Sequence, residues 1–307
     1  MNHEVILSAI LYLLALLLAP FLLGLINRTK SWFGGRRGPP LLQLYYDLFR
    51  LLRKGVVYSQ TTTWVFRFAP VAVLAALLLA TAILPMAPGV PGLLAFKGDI
   101  FLLIYLLAAA RFFTVLGALD TGSSFEGMGA SREVLYAALA EPILLISLAT
   151  LASPTATFSL SAIVFKPADL ANAHWDPQLA IIAICLFIVL LVENCRIPFD
   201  DPNTHLELTM VHEVMVLDNS GPDLAFILYA AALKLWLLSG LVAHCLIGFM
   251  PLPDAAIPLA FVVAMAGIAI LVGVIESAMA RLRLLRVPYV LVGTAVLALV
   301  AFFATKG

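Results

Sequence analysis

Three ionisable residues, Arg111, Glu141 and Lys234, stand inside long apolar runs. A single stretch, Leu191 to Asp223, gathers seven acids, Glu193, Asp200, Asp201, Glu207, Glu213, Asp218 and Asp223, around one base, Arg196. The chemistry such groups serve is the movement of charge: carboxylates crowded by like charges hold protons to higher pH, which suits exchange near neutrality. Two plainer readings stand beside it, an ion pair that only locks helices together and a solvated acidic loop. Against the second, Leu206, Leu208, Met210, Val211, Val214, Met215, Val216 and Leu217 give the stretch an apolar content that calls for packing. His205 and His212 are too few and too far apart for a zinc site. Cys185, Cys195 and Cys245 are too scattered for a disulfide framework or a metal, so free thiols, no metal and no cofactor in this chain are expected.

Positioning these groups requires a membrane. Over 307 residues, 63% are hydrophobic and 12% charged, and the mean hydropathy is +1.06. That excludes a soluble globule and gives an all-α integral membrane protein. Net charge is zero, which gives a nucleic-acid partner no electrostatic support. Apolar runs long enough to span number about eight, at roughly 5–26, 65–86, 100–119, 133–151, 178–195, 225–248, 256–276 and 287–304, in one membrane domain, 1–307. The first lacks a basic leader and a small-residue cleavage site, and reads as a retained span. Residues 41–54 repeat apolar positions at helical spacing and end in Arg50, Arg53 and Lys54, the pattern of an amphipathic helix on the bilayer surface.

Basic residues set the orientation. Thirteen of the eighteen, Arg28, Lys30, Arg36, Arg37, Arg50, Arg53, Lys54, Arg67, Arg132, Arg196, Arg281, Arg283 and Arg286, fall on one side, and Lys97, Lys166 and Lys306 on the other. Both termini are therefore expected on the outer face of a cytoplasmic membrane, with 27–64, 120–132, 196–224 and 277–286 inside. On that count Arg111 and Glu141 each lie roughly 12 Å deep from the cytoplasmic side and Lys234 roughly 15 Å, so the three are expected to cluster. Pro142 frees a backbone carbonyl one turn earlier, which can line a hydrated pocket. Glu193 and Glu276 lie at span ends, where interfacial and functional readings are equally open.

The connections differ in character. Ile197-Pro-Phe-Asp-Asp-Pro202 forces a turn, and Thr204 with Glu207 has capping-box spacing ahead of a short helix near His205, which offers Glu207 a role as a cap. Gly34-Gly-Arg-Arg-Gly-Pro-Pro40 lacks the lysine and hydroxyl residue of a phosphate loop and reads as a turn. The segment 152–177 is an outer loop with Trp175 as an interfacial anchor. Asp120-Thr-Gly-Ser-Ser-Phe-Glu-Gly-Met-Gly-Ala-Ser-Arg-Glu133 reads as a glycine-rich docking or gating loop.

Taken in order, Arg37-Gly-Pro39 with Gln43 and Asp47, Ala110-Arg111, Ser131-Arg132 with Glu141 nine residues on, and Glu193-x-x-Arg196-x-Pro-Phe-Asp200 leading to Leu206-Glu-Leu208 resemble the subunit 1 family of respiratory complex I. Asp120-Thr-Gly-Ser, Gly129-Ala-Ser-Arg-Glu133 and Ile197-Pro-Phe-Asp look closer to the membrane subunit of hydrogenase-4, formate hydrogenlyase and related energy-converting hydrogenases. The resemblance implies a non-catalytic subunit joining a cytoplasmic redox module to antiporter-like, proton-pumping membrane subunits. The implied partners are hydrogenase-like large and small subunits and an iron-sulfur subunit, which would carry the iron-sulfur clusters and any nickel-iron site. It implies a charge or proton relay through Glu141, Glu193, Asp200 and Glu207, less closely Glu213, with Arg111, and Lys234 joins that relay by its place inside a span. Redox-module docking would fall to Arg36, Arg37, Asp47, Arg132, Arg196, Arg281 and Arg283. The spacing after Glu213 departs from the family pattern, and the 120–132 segment departs from its quinone-enzyme form. A stand-alone ion-coupled transporter and a structural anchor are the competing readings.

Overall fold

The computed structural model describes residues 2–87, 90–155, 157–164, 177–200, 211–248, 253 and 256–304. The expected cap at Thr204 and Glu207, the helix near His205, and Asp201, Lys166, Trp175 and Lys306 lie outside them.

The described chain is helical without a β-strand. In order the helices are α1 (Asn2–Phe33), α2 (Gln43–Leu52), α3 (Trp64–Ile83), α4 (Asp99–Asp120), α5 (Ser124–Ala152), α6 (Leu160–Val164), α7 (Pro177–Glu193), α8 (His212–Met215), α9 (Gly221–Ile247), α10 (Ile257–Ala278) and α11 (Val287–Ala304). Seven of these, α1, α3, α4, α5, α9, α10 and α11, are long and apolar enough to cross a bilayer, and α7 is a shorter apolar helix of 17 residues. Lipid cannot satisfy backbone polar groups, so helices are the way an open apolar chain crosses it. α9 is the axis of the bundle, packing on α1, α2, α3, α7 and α10. Outward faces of α1 and α11 carry exposed side chains such as Leu13, Leu17, Val296 and Phe303.

Polar side chains join the helix ends. Asp120, the last residue of α4, accepts hydrogen bonds from Thr63 N at 2.7 Å and Phe66 N at 3.2 Å, and from Thr63 Oγ1 at 2.8 Å. It thereby serves donors at the start of α3 that the helix itself leaves unpaired. Asp99, fully buried, does the same elsewhere, accepting from Leu160 N at 2.6 Å and Ser159 Oγ at 3.2 Å.

One expectation is corrected. The segment 120–132 is not a loop: only residues 121–123 connect α4 to α5, and α5 starts at Ser124. Ser123 followed by Glu126 is the spacing of a helix start, although the Ser123 side chain makes no capping bond. The glycines here give close packing to the helix: a Cβ on Gly129 would lie 2.3 Å from Val214 Cγ1 and 2.8 Å from Val211 O. The amphipathic helix expected over 41–54 is found as α2, which buries no residue and rests against α1 and α9. A Cβ on Gly24 of α1 would fall 2.0 Å from the Leu41 carbonyl oxygen, and the Tyr45 hydroxyl bonds the Leu17 carbonyl.

Gly129→Ala is expected to lower the thermal midpoint of the purified protein, corresponding to about 1–3 kcal/mol of overpacking. Gly127→Ala, where nothing lies within 4 Å of the added carbon, should be neutral or slightly stabilising.

Candidate functional site

Arg111 lies on the buried face of α4 with Leu103, Leu107 and Ala110. Its guanidinium forks: Nη1 pairs with Glu141 Oε1, Nη2 with Glu193 Oε1, and Nε stands 3.7 Å from Glu133 Oε1. The second Glu193 oxygen is 3.7 Å from Lys234 Nζ. Four helices, α4, α5, α7 and α9, thus bring three carboxylates and two cations together. Ionised groups at such depth are retained only where they satisfy one another. The side chains of Glu193 and Glu133 are 5% and 9% exposed, whereas that of Glu141 is 41% exposed. Glu141 therefore stands at the outer edge of the cluster.

The expected meeting of Arg111 with Glu141 is found. Lys234 joins through Glu193, whose interfacial and functional readings stand equally open in the sequence and which here bridges Arg111 and Lys234. Glu133 was missed because the sequence places it at a loop end. Once α5 begins at Ser124, Glu133, Ala137 and Glu141 recur at four-residue spacing on one side of the helix, and the Ser123–Glu126 pattern is the signal that could have found it.

A cavity of about 250 Å³ opens beside the cluster and reaches from Arg111, Glu133, Glu193 and Lys234 to Gln43 and Asp47 on α2. Glu213 and His212 also line it. Burial and the Lys234 and Arg196 cations push the His212 imidazole down to about 4. Cys195 follows the end of α7 with φ of 50°. Burial and the nearby Glu133 carboxylate push its thiol well above the usual range.

Two further ion-pair groups lie beside the turn after α7. Glu276 takes Lys30 Nζ at 2.8 Å on one oxygen and Arg196 Nη1 at 3.2 Å on the other. Asp200 takes Arg281 Nη2 at 2.9 Å on Oδ1, and its Oδ2 accepts from the backbone amides of Val211 and His212 at 3.0 and 3.3 Å. Among the described acids of the stretch 191–223, Glu193 meets Arg111 and Lys234 and Asp200 meets Arg281, counterions distant in sequence that a count within the stretch leaves out. Glu207 is outside the described residues.

Of the expected docking residues, Arg36, Arg37 and Arg283 are exposed. Arg132 is half-buried, with Nη2 on Met128 Sδ at 2.9 Å. Arg196 is 8% exposed and held by Glu276, which removes it from an outer surface. Arg281 is held by Asp200, and Asp47, bonded by Gln43 at 2.9 Å, lines the cavity.

The NADH dehydrogenase family matches residues 5–306. The chain belongs to this family. Among relatives, formate hydrogenlyase subunit 4 of Escherichia coli (strain K12) is 31% identical over 277 residues, 87% of each chain. Hydrogenase-4 component C of the same organism is 34% identical over 219 residues, 71% of this chain and 68% of that protein. One of the NADH-quinone oxidoreductase subunits of Paraburkholderia xenovorans (strain LB400) is 25% identical over 242 residues, 72% of this chain and 66% of that protein. A chain in the structure of the membrane-bound sulfane sulfur reductase (MBS), an archaeal respiratory membrane complex, shares the fold. The TM-score is 0.81 at 19% identity, over 98% of this chain and 99% of that one. The resemblance read from the motifs, to the complex I subunit 1 family with its formate hydrogenlyase and hydrogenase-4 branch, is borne out. The protein is a multi-pass member of a family of membrane-complex subunits.

Two outcomes follow from the geometry. Arg111→Met should destabilise the folded protein by about 3–5 kcal/mol, because three carboxylates lose their shared partner, read as a lower thermal midpoint. His212 has a folded pKa of about 4 against an ordinary 6.5, so below 6.5 the unfolded chain takes up a proton that the folded one refuses. Its contribution to stability is present above pH 6.5 and is lost as pH falls toward 4. In thermal melts across that range, His212→Gln should fall less steeply with acid than the wild type.

Proposed function

We propose that this protein is the membrane subunit that links a cytoplasmic hydrogenase-like redox module to antiporter-like, proton-pumping subunits, relaying charge through buried carboxylates. The observation that carries the reading is the cluster of Arg111, Glu133, Glu141, Glu193 and Lys234, with three acids to two bases. A fully matched set would be a lock; one surplus acid leaves a place where a proton can be held or passed. The cavity reaching α2 provides an approach from the redox side. Half-exposed Glu141 provides the exit, since a carboxylate left in lipid is costly and a polar partner helix against it removes that cost.

On this reading the chain has no catalytic centre of its own, and iron-sulfur clusters and any nickel-iron site belong to hydrogenase-like and iron-sulfur partners. Basic residues of the α1–α3 and α10–α11 connections support a cytoplasmic position for those partners and an outer position for both termini in the inner membrane. Arg36, Arg37 and Arg283 form the exposed part of that docking face. Asp200, held by Arg281 and two amides, shapes the turn, while Glu213 lines the approach. Names of relatives as subunits or components of a formate hydrogenlyase, a hydrogenase and an NADH-quinone oxidoreductase support the setting.

The test is Glu193→Gln and Glu141→Gln in the assembled complex reconstituted in vesicles. Electron transfer should continue while coupled proton movement falls at least about 100-fold, the lower end of the range for loss of a positioned proton-transfer group. Full pumping yield in an intact Glu193→Gln complex sinks the relay.

A further inference from the structure

We propose that the last turn of α2 binds the headgroup of an anionic phospholipid. Arg50 lies in the last turn of α2, Arg53 is its C-cap residue and Lys54 follows directly, and all three are exposed. Among the described residues none has a carboxylate partner, whereas Lys30, Arg111, Arg196, Lys234 and Arg281 are each paired. Asp47, the acid of α2, is bonded by Gln43 and lines the cavity, so it does not neutralise the turn.

An apolar stripe leads up to these cations. Leu42, Tyr46 and Phe49 are 45%, 60% and 58% exposed, at i, i+4 and i+7, one side of the helix. The Arg53 guanidinium lies 4.0 Å from the centre of the Phe49 ring, a stacking that holds the planar group against the stripe. The rest of α2 is held by α1 and α9, with the Tyr45 hydroxyl on the Leu17 carbonyl. The exposed stripe is therefore presented at the level where the chain passes between two spans.

Water solvates the cations but not Leu42, Tyr46 and Phe49; acyl chains cover the stripe but not the cations. A phospholipid satisfies both, with its phosphate in the guanidinium fork. Three cations without an acid select a headgroup of net negative charge over a zwitterionic one. Cations also favour a helix C-terminus through the backbone dipole, but that leaves the exposed aromatic stripe unexplained. The other occupant of such a face is an acidic surface of a cytoplasmic subunit, and the test separates the two.

The assembled complex, delipidated in detergent, is titrated with phosphatidylglycerol or phosphatidylcholine, and bound lipid is read by native mass spectrometry. Phosphatidylglycerol should bind and phosphatidylcholine should not compete. With roughly fivefold in partitioning for each interfacial cation, R50Q/R53Q/K54Q should weaken phosphatidylglycerol binding about 100-fold. Unchanged binding in the variant overturns the proposal. So does loss of cytoplasmic subunits with lipid binding intact, which assigns the face to protein docking. Should the variant fail to assemble, the wild-type complex decides: raising salt from about 50 to about 500 mM, which shortens the screening length to a few ångströms, should weaken phosphatidylglycerol binding at least about tenfold, and salt-independent binding overturns the proposal.

Discussion

The fork of Arg111 between Glu141 and Glu193 is the constraint on which the interior depends. A guanidinium on a buried helix face within a membrane domain is tolerated only when acceptors meet it from several directions. Here those acceptors come from α5 and α7. Their rotations are therefore tied to that of α4, and Lys234 ties α9 to the same point through Glu193. The apolar residues around the cluster pack the helices, but non-directional packing would accept other rotations; the fork accepts one.

The helices carrying the fork are held in place at their ends. Asp120 joins α4 to the start of α3, and Asp200 fixes the chain just before α8 by accepting two of its backbone amides. Close approach at Gly129 brings α8 onto α5. These polar and steric joints stand at the end of the bundle where α4 and α7 finish and α3 and α5 begin, and the joint at Gly129 lies on α5, which carries both Glu133 and Glu141.

Much of this was legible in the sequence, because hydropathy over about twenty residues reports a physical requirement of the bilayer. The spans at Trp64–Ile83, Asp99–Asp120 and Gly221–Ile247 match their apolar runs, and Arg111 and Glu141 met because depth can be counted at a fixed rise per residue. Rotation about the helix axis is not legible in that way. Glu193 could face water or the bundle at the same depth, and only the placement of α4 and α9 on either side decides for the bundle. Arg196 and Arg281 looked like surface charges because their partners, Glu276 and Asp200, are far from each in sequence or hidden by a turn. The start of α5 failed for another reason: glycine and serine content suggested a loop, while tertiary packing at Gly129 makes glycine the residue a helix needs there.

The ion pairs of the described residues balance only when taken together. The Arg111 cluster has one acid too many, the Glu276 group has one base too many, and the Asp200–Arg281 pair is neutral. Glu133 and Arg196, from the two unequal groups, both line the cavity. The cavity lining thus carries both signs, Arg111, Lys234 and Arg196 against Asp47, Glu133, Glu193 and Glu213. In a poorly screened interior the field of such charges extends farther than it would in water. The turn after α7 is itself tied, Arg196 by Glu276 and Asp200 by Arg281, so the field at Glu133 and Glu193 is set by two groups that each hold their own counterions.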